Sequence, residues 1–261
     1  MTGRTLKTTH VGRRAPTAPL VEVFASIQGE GAYVGERQVF LRLAICPLRC
    51  LYCDTERSWR ATARYRVFEN GSVRDAKNPV SPEMAIAEIA AAELGLGKDL
   101  TVSVTGGEPL VHPDFLAALA PRLRAEGRRV HLETAGAHPD RFEPIATLFD
   151  HVSMDWKAPS TMERGDFRER HRRFLSLAGG GDLAVKFVLT SAVPEEELVE
   201  ALECVAEHAP DALFVLQPVT PARRVGRRAR PEKIRRFAEI AFGRVRRVRV
   251  LPQIHPILRL R

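Results

Sequence analysis

The chain has 261 residues, of which 44% are hydrophobic and 28% charged, and its formal net charge is +8. This composition is typical of an ordinary globular protein, and the length suits one α/β domain or two small ones. No apolar run approaches the roughly 18 residues that a membrane-spanning helix needs, so we expect no membrane partner. The basic N-terminal segment has no apolar signal core, which predicts a cytoplasmic protein with reduced thiols.

Two arginine-rich stretches, residues 168–173 and 223–236, carry much of the positive charge. Such runs can bind nucleic-acid phosphates. However, no aromatic residues are interleaved with them to stack on bases. We therefore interpret both stretches as solvent-exposed faces and expect a function that requires no nucleic acid.

In chain order, residues 1–18 are predicted to form a disordered basic tail and residues 19–261 a single domain. Within that domain, short apolar segments alternate with amphipathic ones, which predicts strands alternating with helices. The predicted strands cover residues 21–25, 39–44, 100–105, 129–134, 151–156, 184–189, 213–218 and 246–252. Helices are predicted to begin near Ser81, where Ser is the N-cap and Pro82 lies in the first turn, and near Pro113, Pro194 and Pro231.

Repeated β-α units with short links predict a parallel sheet with the helices outside it. About six such units follow residue 53, too few for a closed eight-unit barrel. We therefore predict an α/β fold in the form of a partial, open parallel β/α barrel. Ligands of such folds gather at the C-terminal ends of the strands.

Three cysteines, Cys46, Cys50 and Cys53, lie in the string CPLRCLYC, directly after a predicted strand. Structural zinc sites need four ligands and usually come as two separated pairs. The fourth cysteine, Cys204, is far along the chain in a helical pattern and is expected to be a small buried thiol. Three thiolates on one loop can hold three irons of a 4Fe-4S cluster and leave the fourth iron open to a small molecule.

A second motif, TGGEP at residues 105–109, follows the next parallel strand, so both motifs are predicted at the same edge of the sheet. Small glycines allow the main chain to approach another group closely. Together, the cysteine triplet and the TGGEP motif resemble those of the radical S-adenosylmethionine (SAM) enzymes. The resemblance implies that the open iron binds SAM and that the glycine-containing segment supports the methionine amino group.

A narrower resemblance extends over nearly the whole chain from Glu22 onward. The motifs that carry it are SIQGEG at 26–31, FLRL at 40–43, CDT at 53–55, ET at 133–134, SMDWKAPS at 153–160, KFVL at 186–189, LQPV at 216–219 and LPQIH at 251–255. In this order they resemble the 7-carboxy-7-deazaguanine synthase family of queuosine and deazapurine biosynthesis. Residues 60–80 and the arginine-rich stretch after LQPV match no motif that we can interpret.

The resemblance implies a reaction and its cofactors, namely a 4Fe-4S cluster, SAM and Mg²⁺. A reduced cluster would cleave SAM to a 5′-deoxyadenosyl radical, which would abstract hydrogen from C6 of 6-carboxy-5,6,7,8-tetrahydropterin. Ring contraction and loss of ammonia would then give 7-carboxy-7-deazaguanine, with SAM regenerated. No side chain is assigned as a catalytic residue, because the radical forms on SAM. A flavodoxin- or ferredoxin-type reductant and a homodimer are also implied.

The resemblance also assigns residues to roles. The cluster ligands are Cys46, Cys50 and Cys53, and the Mg²⁺ ligand is Thr55. The SAM-contacting residues are Tyr52, Asp54, Gly107, Ser153, Lys157 and Gln217. The substrate-contacting residues are Ile27, Gln28, Gly29, Glu30, Arg42, Thr105, His255 and, through its terminal carboxylate, Arg261. Among these, Arg42 suits the substrate carboxylate because its planar guanidinium can bind two oxygens.

Other interpretations of the same residues stay open at this point. Arg42 could form a structural ion pair, Lys157 could pair with Asp155 for structure alone, and His255 could be a solvated histidine. The segment SMDWK also departs from the family's usual Ser-Pro-Lys, which leaves open which of its side chains meets the SAM ribose. For the whole chain, the alternatives are a glycyl-radical-enzyme activase, which shares the cysteine spacing, and an RNA-binding module with a structural cluster.

Overall fold

The computed structural model describes residues 15–69, 71–93, 100–221 and 224–260, and its strands form one sheet. The strands are β1 (Leu20–Ile27), β2 (Arg37–Leu43), β3 (Arg64–Glu69), β4 (Ser72–Lys77), β5 (Thr101–Gly106), β6 (Val130–Thr134), β7 (His151–Trp156), β8 (Leu183–Leu189), β9 (Leu213–Pro218) and β10 (Val248–Val250). Their order across the sheet is β10-β9-β8-β7-β6-β5-β2-β1-β3-β4. Because β4 and β10 are the two edges, the sheet is open, as predicted.

A continuous parallel block runs from β2 through β5, β6, β7, β8 and β9 to β10. Six strands of this block, β5 to β10, come after the loop that contains Cys46, Cys50 and Cys53 (the cysteine loop), which confirms the predicted number of units. On the other side of β2, the strand β1 is antiparallel to it. The parallel strands are rich in valine, leucine and phenylalanine because such strands are buried on both faces.

All but the last of the helices connect strands and pack against the sheet, and the last, a short one, follows β10. They are α1 (Pro82–Ala92), α2 (Pro113–Ala125), α3 (Pro139–Phe142), α4 (Arg168–Ala178), α5 (Glu195–His208), α6 (Pro231–Phe242) and α7 (His255–Leu258). In α5, Leu198, Ala201, Leu202 and Val205 recur at helical spacing and are buried against the sheet. Cys204 on the same helix is buried, as predicted. None of these helices is long and apolar enough to cross a bilayer.

Residues 60–80, which sequence motifs left uninterpreted, contain the hairpin of β3 and β4. Strand β3 extends the sheet by pairing in parallel with β1. Strand β4 pairs antiparallel with β3 and is the edge strand on that side. Tyr65 on β3 is buried, and its hydroxyl donates to Glu88 of α1 over 2.7 Å. The pattern was hard to recognise because β4 is almost entirely exposed and has no buried face.

Two further predictions are refined by the structure: the exposed face at residues 168–173 and the end of the N-terminal tail. Residues 168–173 begin α4, and the helix buries His171 on the side opposite its arginines. The predicted tail ends before residue 18, because Ala18 is buried and exchanges two backbone hydrogen bonds of 3.0 Å with Val80. Residues 1–14 lie outside the described part of the chain.

Candidate functional site

A cavity of about 440 Å³ opens at the C-terminal ends of the parallel strands. Every predicted site residue within the described part of the chain lines it. These are Ile27, Gln28, Gly29, Glu30, Arg42, Cys46, Cys50, Tyr52, Cys53, Asp54, Thr55, Thr105, Gly107, Ser153, Lys157, Gln217 and His255. Arg261 lies outside the described residues. The cavity thus joins residues from both ends of the chain, which is what a site at one end of a parallel sheet requires.

The cysteine loop leaves the end of β2 through Ile45, whose φ of 76° is unusual for a residue other than glycine. Cys46, Cys50 and Cys53 are half-buried free thiols, and a tight turn places the Cys53 amide 3.2 Å from the Cys50 carbonyl oxygen. Burial raises the pKa of all three and that of Cys46 to about 12. A donor set of three free thiols facing a cavity fits a cluster with one iron left open.

Gly106 and Gly107 carry β5 into close contact with the cysteine loop. A Cβ at Gly107 would clash with the Ile45 carbonyl oxygen, and one at Gly106 would clash with the Leu43 backbone. The Gly107 amide donates to the Leu43 carbonyl over 2.8 Å, and the Glu108 amide donates to that of Ile45 over 3.0 Å. The close approach that the sequence suggested is therefore made to the cysteine loop, which these glycines hold against β5.

Glu108 of the same motif does not line the cavity; it fixes the turn after β6. The side chain is buried and accepts hydrogen bonds from the Thr134 hydroxyl at 2.6 Å, the Ala135 amide at 2.8 Å and the Leu110 amide at 3.1 Å. Sequence reasoning gave this residue no role. Its function is to join the ends of β5 and β6 at the cavity rim.

The floor of the cavity is a buried polar network around Glu133, a residue to which the sequence assigned no role. Its carboxylate accepts from Gln28 at 2.8 Å, Ser103 at 2.6 Å and Thr105 at 3.2 Å. Nearby, burial lowers the pKa of His131 to about 4, so this imidazole is neutral near pH 7. The Thr-Gly-Gly motif and the SIQGEG motif thus meet through one carboxylate.

A second network runs along one wall and alternates in charge. Lys186 Nζ lies 2.5 Å from Glu30 and 3.6 Å from Asp155, and Lys157 Nζ lies 2.7 Å from Asp155. Lys157 Nζ also donates to the Tyr52 hydroxyl over 3.1 Å. The sequence analysis missed Lys186 as a site residue. Its signal was a lysine at the centre of an otherwise apolar buried strand, where an unpaired charge would be costly.

Glu30 accepts further hydrogen bonds from Gln217 at 3.3 Å and from Gln253. Burial alone would raise the pKa of Glu30. The charge and hydrogen bond of Lys186, with the hydrogen bond of Gln253, outweigh that effect and lower the pKa to about 2. The Glu30 carboxylate is therefore ionised in the folded protein, and it lies where strands from both halves of the chain converge.

The C-terminal segment folds back across the mouth of the cavity. The Ile254 amide donates to the Gly29 carbonyl over 2.9 Å. A Cβ at Gly29 would lie 2.7 Å from His255 Cβ, so this glycine is required for the contact. His255 is therefore a partly buried part of the cavity wall and not a freely solvated residue.

Near His255, donor atoms of Glu30, Asp54 and His255 lie within 4.8 Å of one another, an arrangement that could hold a cation. The Thr55 hydroxyl, the predicted Mg²⁺ ligand, donates to Asp54 over 2.7 Å. Arg42 Nε lies 3.0 Å from the buried Glu22 carboxylate. The structural ion pair of Arg42 is thus present, and the residue also lines the cavity.

Comparisons with known proteins agree with this geometry. The family model described as the radical SAM superfamily matches residues 42–208. The chain is 37% identical over 245 residues to 7-carboxy-7-deazaguanine synthase of Geobacter sulfurreducens, covering 92% of this chain and 96% of that one. It is 36% identical over 251 residues to the enzyme of the same name from Methanopyrus kandleri, covering 95% and 96%.

Among solved structures, the fold is similar to the crystal structure of QueE from Escherichia coli, with a TM-score of 0.62 and 22% sequence identity. That match covers 90% of this chain and 93% of the other. At this identity the match supports the fold alone, and the family rests on the sequence relatives.

Proposed function

The chain belongs to the 7-carboxy-7-deazaguanine synthase family of the radical SAM superfamily, and from that membership we propose that it converts 6-carboxy-5,6,7,8-tetrahydropterin to 7-carboxy-7-deazaguanine with loss of ammonia. The observation that carries the proposal is the single cavity in which the cysteine triplet, the glycine segment and the polar residues of SIQGEG meet. Such a cavity suits one small substrate held beside a cofactor.

At the cluster end of the cavity, Cys46, Cys50 and Cys53 would hold the 4Fe-4S cluster that membership of the superfamily implies. The cluster and SAM, when bound, supply the one-electron chemistry that starts the reaction. The residues of this chain position them: Gly107, Tyr52, Asp54, Ser153, Lys157 and Gln217 surround the space next to the cysteines. The buried lining would also limit access of water to a reactive intermediate.

At the substrate end, Gln28 and Glu133 present an amide and a carboxylate side by side. Such a pair can recognise the amide and amino groups of a pterin ring, which offer both donors and acceptors. Ile27, Gly29, Glu30, Thr105 and His255 would complete this pocket. Arg42 would bind the substrate carboxylate while Glu22 orients its guanidinium from behind. The terminal carboxylate of Arg261 is proposed to close the pocket.

We propose that Mg²⁺ binds at Thr55, next to the carboxylate of the substrate. The ion prefers oxygen ligands and keeps several water molecules, so one hydroxyl with substrate oxygens is sufficient. The neighbouring Asp54 carboxylate adds the negative charge that a dication requires.

The remaining features of the proposal concern the setting of the enzyme. A flavodoxin- or ferredoxin-type protein would supply the electron, the active form would be a homodimer, and the protein would work in the cytoplasm. Family resemblance supports the first two, and free half-buried cysteines that must stay reduced support the third.

The test is an anaerobic assay of the cluster-reconstituted protein with SAM, dithionite, Mg²⁺ and 6-carboxy-5,6,7,8-tetrahydropterin, analysed by mass spectrometry. We expect 7-carboxy-7-deazaguanine from the wild-type chain and none from Cys50→Ala. As a matched control, Cys204→Ala changes the cysteine that lies away from the site and should leave product formation intact. Cleavage of SAM to 5′-deoxyadenosine without a deazaguanine would overturn the substrate and favour the activase alternative.

A further inference from the structure

Lys157 places a buried positive charge against the cysteine loop. It follows β7, and only 7% of its surface is exposed. Its ammonium donates to Asp155 Oδ2 over 2.7 Å and to the Tyr52 hydroxyl over 3.1 Å, and it lines the cavity together with Cys50. A buried ammonium is costly unless it is paired, so these contacts hold both its charge and its position.

This charge lies in the same cavity as the whole cysteine triplet, because Cys46, Cys50 and Cys53 line that cavity together with Lys157. Tyr52, whose hydroxyl Lys157 contacts, lies between Cys50 and Cys53 in the chain, so the contact fixes the ammonium beside the cysteine loop. The Asp155 carboxylate, 2.7 Å from the ammonium, partly offsets its charge.

Among the charged residues of this cavity wall, Lys157 is distinguished by its position beside the cysteine loop. In the row Glu30, Lys186, Asp155, Lys157, acidic and basic groups alternate, and Lys157 is the member next to the cysteines. Lys186 contacts the same Asp155, but its other partner is Glu30 at the far end of the row. The two lysines thus differ mainly in their distance from the cluster ligands.

Reduction of an iron–sulfur cluster adds one negative charge to a poorly solvated site. A nearby positive charge stabilises the reduced state more than the oxidised state, and net charge and hydrogen bonds to the sulfurs tune the potential of such clusters. We propose that Lys157 raises the reduction potential of the cluster held by Cys46, Cys50 and Cys53, and that Asp155 limits this effect by partly neutralising the ammonium.

This role is that of a positioning residue acting through the cluster, and it rests on the proposed function only in that the three cysteines hold a cluster. It is distinct from a contact between Lys157 and SAM, because it operates before SAM binds. A contact to SAM alone would not require that the ammonium also be held against the cysteine loop by Tyr52 and Asp155.

The experiment is an anaerobic redox titration of the reconstituted protein without SAM or substrate, with the reduced cluster followed by electron paramagnetic resonance. We expect a more negative midpoint potential in Lys157→Met and a value near that of the wild type in Lys157→Arg, which restores the charge. Asp155→Asn should shift the potential in the opposite direction, to a less negative value. Lys186→Met is the matched control and should shift it less than Lys157→Met.

Iron and sulfide content are measured for each variant so that cluster loss is not mistaken for a shift. The proposal is overturned if Lys157→Met has the wild-type potential, or if Lys186→Met shifts it equally. Should Lys157→Met fail to hold a cluster, Asp155→Asn decides, and an unchanged or more negative potential there overturns the proposal. Since no substrate is present, failure of the deazaguanine assay would leave this result unaffected.

Discussion

Gly107 shows how one residue can join two functional segments. Its missing side chain lets the end of β5 lie directly against Ile45 and Cys46 of the cysteine loop. The three nearest atoms there all belong to the backbone, which can move little without displacing the loop.

We predict that Gly107→Ala destabilises the protein and lowers its iron content after reconstitution. Forcing a methyl group into a filled site costs about 1–3 kcal/mol, and here relief of the clash would move Cys46. Urea unfolding and iron analysis are the measurements. Gly180→Ala is the control, because a Cβ there meets open space, and its effect should be within about 0.5 kcal/mol. Equal effects of both substitutions would contradict this account.

The stability that the Glu30 carboxylate contributes depends on pH, and its pKa gives the direction of that dependence. Its folded-state pKa, about 2, lies below its usual value of 4.5. The carboxylate therefore contributes stability that is present above pH 4.5 and is lost as the pH falls towards 2. The difference of pKa corresponds to about 3 kcal/mol.

We predict that the free energy of unfolding of Glu30→Gln falls below that of the wild type by up to this amount at pH 6. The gap should narrow between pH 4.5 and 2, where the wild-type carboxylate becomes protonated. Urea unfolding of the cluster-free chain over this range measures it. If the free energies of unfolding of the two proteins differed by the same amount at every pH, Glu30 would not be paired as described.

At the scale of single elements, helix α1 illustrates how local signals determine a boundary. Ser81 precedes Pro82, and the Ser81 hydroxyl accepts a hydrogen bond from the Met84 amide over 3.3 Å. The same helix holds Glu88, which receives hydrogen bonds from Tyr65 and Arg74 of the β3–β4 hairpin. The N-cap thus fixes where α1 begins, and Glu88 in the middle of the helix supports an edge of the sheet.

We predict that Ser81→Ala lowers the free energy of unfolding by about 1 kcal/mol, because an N-cap acceptor is lost. Ser81→Asp retains an acceptor and should unfold close to the wild type. Urea titrations of the three proteins compare them directly. If both variants lost the same stability, the contribution of Ser81 would have to come from something other than capping.

At the scale of the whole molecule, arginines of both arginine-rich stretches form local ion pairs. In α4, Arg168 pairs with Asp166 and Glu200, and in α6, Arg236 pairs with Glu195. Paired guanidinium groups offer less to a phosphate backbone than free ones, since binding RNA would require breaking these contacts.

We accordingly predict no tRNA complex in an electrophoretic shift assay at about 0.15 M salt, where surface charges are screened beyond roughly 8 Å. Any complex seen at low salt should disappear as salt is raised. A salt-resistant shift would support the RNA-binding alternative. The variant Arg168→Ala would then show whether α4 is responsible.

The sequence by itself determined the alternation of strands and helices, the open parallel sheet and the two motifs at its C-terminal edge. These properties depend on local periodicity and on short motifs, which the residues display directly. The hairpin of β3 and β4 was not predicted, because its exposed edge strand lacks a buried face.

Only the tertiary structure decided which charges meet inside the cavity. Lys186 pairs with Glu30, Glu133 accepts from Gln28, and both contacts join segments more than a hundred residues apart in the chain. No periodicity records such a pairing, because it arises where a parallel sheet brings the ends of distant strands together. Burial then makes each pairing obligatory, since a charge left without its partner there would be too costly to keep.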